Sequence, residues 1–165
     1  MPTDADLFHL AHTLGAKLLR LKLQLVTAES CTGGWIGKVL TDVAGSSAWY
    51  RGGAVAYSNE LKRSLLGVSG ETLSVFGAVS EATAREMAVG ALTQLGGDVA
   101  VAVTGIAGPD GGSADKPVGT VWFGWAHRGS AGMESRAAME IFQGDRESVR
   151  RQTVGRALSG VIELA

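Results

Sequence analysis

Ser30 lies in the run Ala28-Glu29-Ser30-Cys31-Thr32-Gly33-Gly34, where a β-prone stretch gives way to a helical one. A serine on such a turn sits near the positive end of the following helix. The backbone N–H groups of Cys31, Thr32, Gly33 and Gly34 precede the helix's own ladder, so they are candidates to hold an oxyanion. Gly33 and Gly34 also allow a substrate carbonyl to come close to the backbone. The competing reading is plain, because serine is among the commonest helix N-caps and capping needs no reaction. Ala28 and Thr32 flank Ser30 where a G-x-S-x-G elbow would have glycines. The local pattern alone favours the cap.

A serine nucleophile needs a base. His9 and His12 fall within an amphipathic helical segment, and His127 falls at the far end of a strand that starts beside the glycine-rich loop. Histidine is therefore a poor candidate, and the three have no metal-ligand spacing. Lysine serves when burial or cationic neighbours lower its pKa. Lys62 follows the apolar run ending at Tyr57, with Arg63 beside it, and Tyr57 is placed to relay a proton or orient the amine. Against this stands a solvated helix lysine and a core tyrosine. Cys31 is a second nucleophile by type, although a lone cysteine is more often a small buried hydrophobe.

Thr104-Gly105-Ile106-Ala107-Gly108-Pro109-Asp110-Gly111-Gly112 matches neither a Walker A loop nor G-x-G-x-x-G. Its small residues can still form a nest of N–H groups for a phosphate, with Lys116 adding charge, and a loop of this length in a compact domain is usually functional. Arg146 stands at the start of the last helix, against the helix dipole, with Arg150 and Arg151 behind it. That placement suits binding of a carboxylate or phosphate as well as it suits a surface pair with Glu147 or Asp145.

These residues need elements to hold them. Leu7, Leu10, Ala11, Leu14, Leu18 and Leu21 form a helical stripe over 5–21. A strand over 24–28, a helix carrying Ile36, Val39, Leu40 and Val43, a strand over 53–57 and a short helix capped at Ser58 follow. Residues 80–95 form a long helix, capped at Ser80 and stopped by Gly96-Gly97, and 98–104 a strand apolar enough to be covered on both faces. Two strands over 118–126 and 134–142, joined through 127–133, form a hairpin before a closing helix over 145–164. The pattern predicts a three-layer α/β/α sandwich with a mixed, mostly parallel sheet, in which ligands gather where strand ends meet helix starts.

With 165 residues and no linker, the chain reads as one domain, 1–165. A net charge of −1 without a sustained basic stripe argues against a nucleic-acid partner. No membrane-length apolar run or signal-peptide pattern occurs, and the single cysteine suits a reducing compartment, so a cytoplasmic location is expected. A homodimer is expected if any of the four tryptophans is left exposed.

The blocks AESCTGG (28–34), GGAVAYSNELK (52–62), VTGIAGPDGG (103–112), KPVGTV (116–121) and GDRESVRRQ (144–152) resemble, in order, the CinA C-terminal domain family. Its members include stand-alone nicotinamide-nucleotide amidohydrolases. The resemblance implies an α/β/α fold and hydrolysis of nicotinamide mononucleotide to nicotinate mononucleotide and ammonia. It also implies a Ser/Lys mechanism without metal or cofactor, with nicotinamide mononucleotide as the small-molecule substrate. Residue by residue it implies Ser30 as nucleophile, Lys62 and Tyr57 as its catalytic companions, and Thr104 and Arg146 in the site. Cys31, Thr32, Gly33 and Gly34 would hold the oxyanion, and Thr104, Gly105 and Gly108 the ribose and phosphate. Some relatives carry a further N-terminal domain similar to molybdopterin-binding proteins, and its activity is expected to be absent here. A non-catalytic nucleotide-binding module, or an interaction module linked to competence or DNA damage, remains the alternative, as does the same mechanism acting on another amide.

Overall fold

The computed structural model describes residues 1–165. In chain order the elements are α1 (Asp4–Leu21), β1 (Leu25–Glu29), α2 (Trp35–Thr41), a 3-10 turn (Ser46–Ala48), β2 (Tyr50–Val55), α3 (Asn59–Leu66) and α4 (Gly70–Phe76). There follow α5 (Glu81–Leu95), β3 (Val99–Gly105), β4 (Thr120–Gly129), β5 (Gly132–Ile141) and α6 (Arg146–Leu164). One sheet has the order β2-β1-β3-β4-β5. β1 pairs parallel with β2 and β3, and the β3–β4 and β4–β5 pairs are antiparallel. Four strands thus run one way and β4 runs against them.

The alternation Val99-Ala100-Val101-Ala102-Val103 builds the three layers. Its valines join Phe123, Trp125 and the buried faces of α1, α2 and α6 in the larger core. Its alanines join Val26, Ala28 and Ala126 against α3 and α5 in the smaller one. Phe123 and Trp125 stack with ring centroids 5.5 Å apart in the larger core, and burying each such ring contributes about 2 kcal/mol. On the other face, small residues let helices approach closely. A Cβ on Gly90 would lie 1.8 Å from the Leu66 carbonyl oxygen, so α3 presses on α5 without a side chain between them. This contact fixes the helix that carries Lys62.

Two expectations are corrected, and one helix has no counterpart in the sequence pattern. β2 begins at Tyr50, three residues earlier than the sequence pattern suggests, because pairing with β1 starts at Leu25 and Tyr50. The β4–β5 hairpin is tight, since its strands pair out to Gly129 and Gly132 and leave only 130–131 as the turn. α4 was not foreseen, although Ser69 accepts from the Thr72 N–H at its start. That serine, with Gly77 closing the helix, was the available signal. No helix is long and apolar enough to cross a membrane.

Candidate active site

β1, β2 and β3 end at one edge of the sheet, with Glu29, Val55 and Gly105 as last residues. Ser30 follows β1 and extends its ladder by donating its N–H to the Val103 carbonyl at 3.1 Å. The chain then turns sharply, with Gly33 at φ +60° and Gly34 at φ +100°, values that side chains resist. Ser58 caps α3 by accepting from the Leu61 N–H, which places Lys62 and Leu66 on the helix's buried face.

Lys62 reaches back to the strand end. Its Nζ lies 3.0 Å from Ser30 Oγ, 3.0 Å from the Ala56 carbonyl and 3.1 Å from the Tyr57 carbonyl. The side chain is 2% exposed and makes no ion pair with a carboxylate. Burial without a counter-ion disfavours the ammonium, so the amine is held below the ordinary value of 10.5. A neutral amine has two N–H donors and one lone pair. In that form the two carbonyls, which only accept, would take the N–H groups, and the lone pair would face the Ser30 hydroxyl.

Cys31 does not compete. It is buried, and burial pushes its thiol up to about 12, so the nucleophilic thiolate is scarce near neutrality.

Ser30, Cys31, Tyr57, Lys62, Thr104, Gly105, Gly108 and Arg146 line one cleft of about 280 Å³, at the small end of the range for small-molecule sites. Asn59, Ala78, Val79 and Asp110, none singled out from sequence, line it too. Thr104 is buried and donates its hydroxyl to the Ala78 carbonyl at 2.7 Å, tying β3 to the segment between α4 and α5. Arg146 donates to the Gly108 carbonyl at 2.7 Å and to the Tyr57 hydroxyl at 3.3 Å. No group of three or more His, Cys, Asp or Glu side chains is placed to hold a metal ion.

Several expected contributions fall elsewhere. Thr32, Gly33 and Gly34 are not in the cleft lining, and the N–H groups of the two glycines are spent: Gly33 donates to the Ser30 carbonyl and Gly34 to Glu29 Oε1. The cause is Glu29, which the sequence pattern leaves without a role in the turn after the strand over 24–28. It is 2% exposed and accepts from Thr32 Oγ1 and the N–H groups of Gly34, Ile36 and Gly37 at 2.6, 3.2, 2.9 and 3.0 Å. Its carboxylate occupies the start of α2 from within, leaving only the Cys31 and Thr32 N–H groups without a protein acceptor. The Thr32 side chain is turned to Glu29 and is fully buried.

Tyr57 meets Lys62 through its carbonyl, whereas its phenol is largely exposed and faces Arg146. Lys116 lies outside the cleft and donates to the Phe76 carbonyl at 2.8 Å, stapling the glycine-rich loop to α4. His127 pairs with Val99, at the opposite end of β3 from Thr104. Trp49 and Trp125 are buried and Trp35 and Trp122 half-buried, so the tryptophan argument for a dimer lapses. The exposed apolar side chains of β5 are instead Met133, Met139 and Ile141, on one face of an edge strand.

Residues 7–165 match the family model of the CinA C-terminal domain. The nicotinamide-nucleotide amidohydrolase PncC of Escherichia coli K12 is 53% identical over 156 residues, 94% of this chain and 93% of that protein. The protein of the same name from Pseudomonas putida is 50% identical, covering 94% of each. Among solved structures, the competence/damage inducible protein CihA of Agrobacterium tumefaciens superposes with a TM-score of 0.90 at 46% identity, over 99% of this chain and 97% of that one. A CinA superfamily protein of Escherichia coli reaches a TM-score of 0.92 at 37% identity, over 100% of this chain and 94% of that one.

Proposed function

The chain belongs to the CinA C-terminal domain family, and from that premise we propose that it hydrolyses the carboxamide of nicotinamide mononucleotide to nicotinate mononucleotide and ammonia, a pyridine-nucleotide salvage step, with Ser30 as nucleophile and Lys62 as base. The observation that carries the reading is the buried Lys62 amine, held by two carbonyls with its third direction on Ser30 Oγ.

Ser30 Oγ attacks the carboxamide carbon while its proton passes to Lys62 Nζ. The carbonyl oxygen becomes an oxyanion beside the Cys31 and Thr32 N–H groups, the two left free by the Glu29 carboxylate. Collapse returns the Lys62 proton to the amide nitrogen, which leaves as ammonia, and the nicotinoyl group remains as an ester on Ser30. Water then attacks the ester, Lys62 takes its proton and passes it to Ser30 Oγ as the ester bond breaks, and both residues return to their starting states. Arg146 supplies positive charge at the cleft, and Gly105, Gly108 and Thr104 form the wall on which ribose and phosphate rest. A cytoplasmic homodimer completes the reading, supported by the single unpaired cysteine and the apolar face of β5.

The test is ammonia release from nicotinamide mononucleotide by the purified protein, beside folded Ser30→Ala. Release by the parent and its loss in the variant is expected. Silence from a folded parent would redirect the search to another amide or to a binding role, and an active Ser30→Ala would remove Ser30 from the mechanism.

A further inference from the structure

Arg150 reaches the nucleophile turn from behind. One turn further along α6 than Arg146, it lies outside the cleft lining and is half-buried. It donates its Nε–H to the Cys31 carbonyl at 3.0 Å and an Nη2–H to the Thr32 carbonyl at 3.0 Å, with its guanidinium 5.4 Å from the Trp35 ring. Each of those carbonyls belongs to a peptide whose other end is an N–H. The Cys31 carbonyl shares its peptide with the Thr32 N–H, one of the two free donors. The Thr32 carbonyl shares its peptide with the Gly33 N–H, which donates to the Ser30 carbonyl at 3.1 Å. The Ser30 carbonyl in turn shares its peptide with the Cys31 N–H, the other free donor.

We infer that Arg150 is the positioning residue of the oxyanion site, acting through one peptide on the Thr32 N–H and through two on the Cys31 N–H. A cation on a carbonyl oxygen draws electron density along the peptide and makes its N–H a stronger donor, and successive hydrogen bonds polarise one another. The fork of a guanidinium also fixes both carbonyl directions at once, and a trans peptide then fixes the N–H on its opposite side. Charge is thereby delivered to the oxyanion without a second guanidinium entering the cleft beside Arg146. Such preorganised donors act on the transition state more than on the bound substrate.

This inference rests on the proposed reaction, and its test is separable from that of the reaction. With nicotinamide mononucleotide as substrate, folded Arg150→Met is expected to lose kcat by about tenfold to a hundredfold, on the scale of one weakened oxyanion donor. KM is expected to change less than threefold, and the Lys62-dependent limb of the pH profile to stay in place. Arg150→Lys keeps the charge but not the fork, so it should fall between Arg150→Met and the parent, and it carries the same test if Arg150→Met fails to fold. Unchanged kcat in a folded variant would overturn the inference, as would a loss expressed only in KM or a displaced pH limb. A silent parent or an active Ser30→Ala would instead mark the reaction itself as misread.

Discussion

Helix α6 passes two tryptophans, and each has a pair of arginines over its indole ring. Arg150 and Arg151 lie 5.4 and 5.0 Å from Trp35, and Arg136 and Arg156 both lie 4.9 Å from Trp125. Around Trp125 the charges answer one another: Arg136 meets Glu163, and Arg156 meets Glu140 and Glu163. The indole N–H is itself bonded to the Ala157 carbonyl, and none of these groups lines the cleft. Around Trp35, Arg151 pairs with Asp4 and Glu147, Arg150 spends its donors on the carbonyls behind Ser30, Lys62 has no carboxylate partner, and the Cys31 and Thr32 N–H groups have no protein acceptor. The two clusters are alike in composition. They differ in what they face, since one backs the turn that carries Ser30 and the other meets carboxylates away from the cleft, and that difference is what separates a site from a brace.

The sharpest way to break this comparison is to remove the unpaired base. Lys62→Met should lower kcat/KM by about a thousandfold, or about 4 kcal/mol of transition-state stabilisation. In the parent, kcat/KM should rise with pH as the buried amine loses its proton, and this limb should lie below the ordinary lysine value of 10.5. Stability carries the same sign. The folded state disfavours the charged amine, so the unfolded chain binds more protons between the lowered pKa and 10.5. The parent should therefore gain on Lys62→Met as pH rises through that window and lose ground as pH falls through the lowered pKa. Chemical denaturation of both proteins across the window checks it, and a flat difference would mean that Lys62 titrates normally.

Next in size is Glu29→Ala, which leaves three backbone N–H groups and a threonine hydroxyl of the nucleophile turn without their acceptor. A loss of about 3 kcal/mol is expected, read as a fall of about 10 °C in Tm. A loss under about 1 kcal/mol would mean that the glycines and Arg150 hold the turn unaided.

The smallest effect belongs to the brace. Arg156→Gln should cost at most about 1 kcal/mol, because its ion pairs are partly exposed and its ring contact is modest. Turnover should stay within about twofold of the parent, the scale of a surface change away from the chemistry. A large loss of activity would show that the two clusters are coupled through α6.

Much of the fold was legible because the signals were local. The stripe of α1, the Val-Ala alternation of β3, and the caps Ser58, Ser80 and Asp145 each act within a few residues, and all fall inside the elements or caps observed. α4 was not foreseen because seven residues offer too few turns for a periodic stripe. Ser30, Tyr57, Lys62, Thr104 and Arg146 could be named from residue type and block resemblance, and the fold brings all five to one cleft. Glu29 and Arg150 could not. A glutamate at a strand end and an arginine on a helix look like solvated charges until the groups they meet are known.

By itself, then, the sequence determined most of the helices and strands, though not α4 or every boundary, that the sheet is covered on both faces, and which side chains are capable of the chemistry. Tertiary structure alone decided their states. Lys62 meets Ser30 from 32 residues away, and its basicity depends on burial against Ala56 and Tyr57 without an ion pair to a carboxylate. The number of free oxyanion donors depends on Glu29 folding back into its own turn. Propensities and caps are short-range and can be read along a chain, whereas desolvation and hydrogen-bond satisfaction depend on every group that surrounds an atom, and those neighbours are chosen only when distant segments pack.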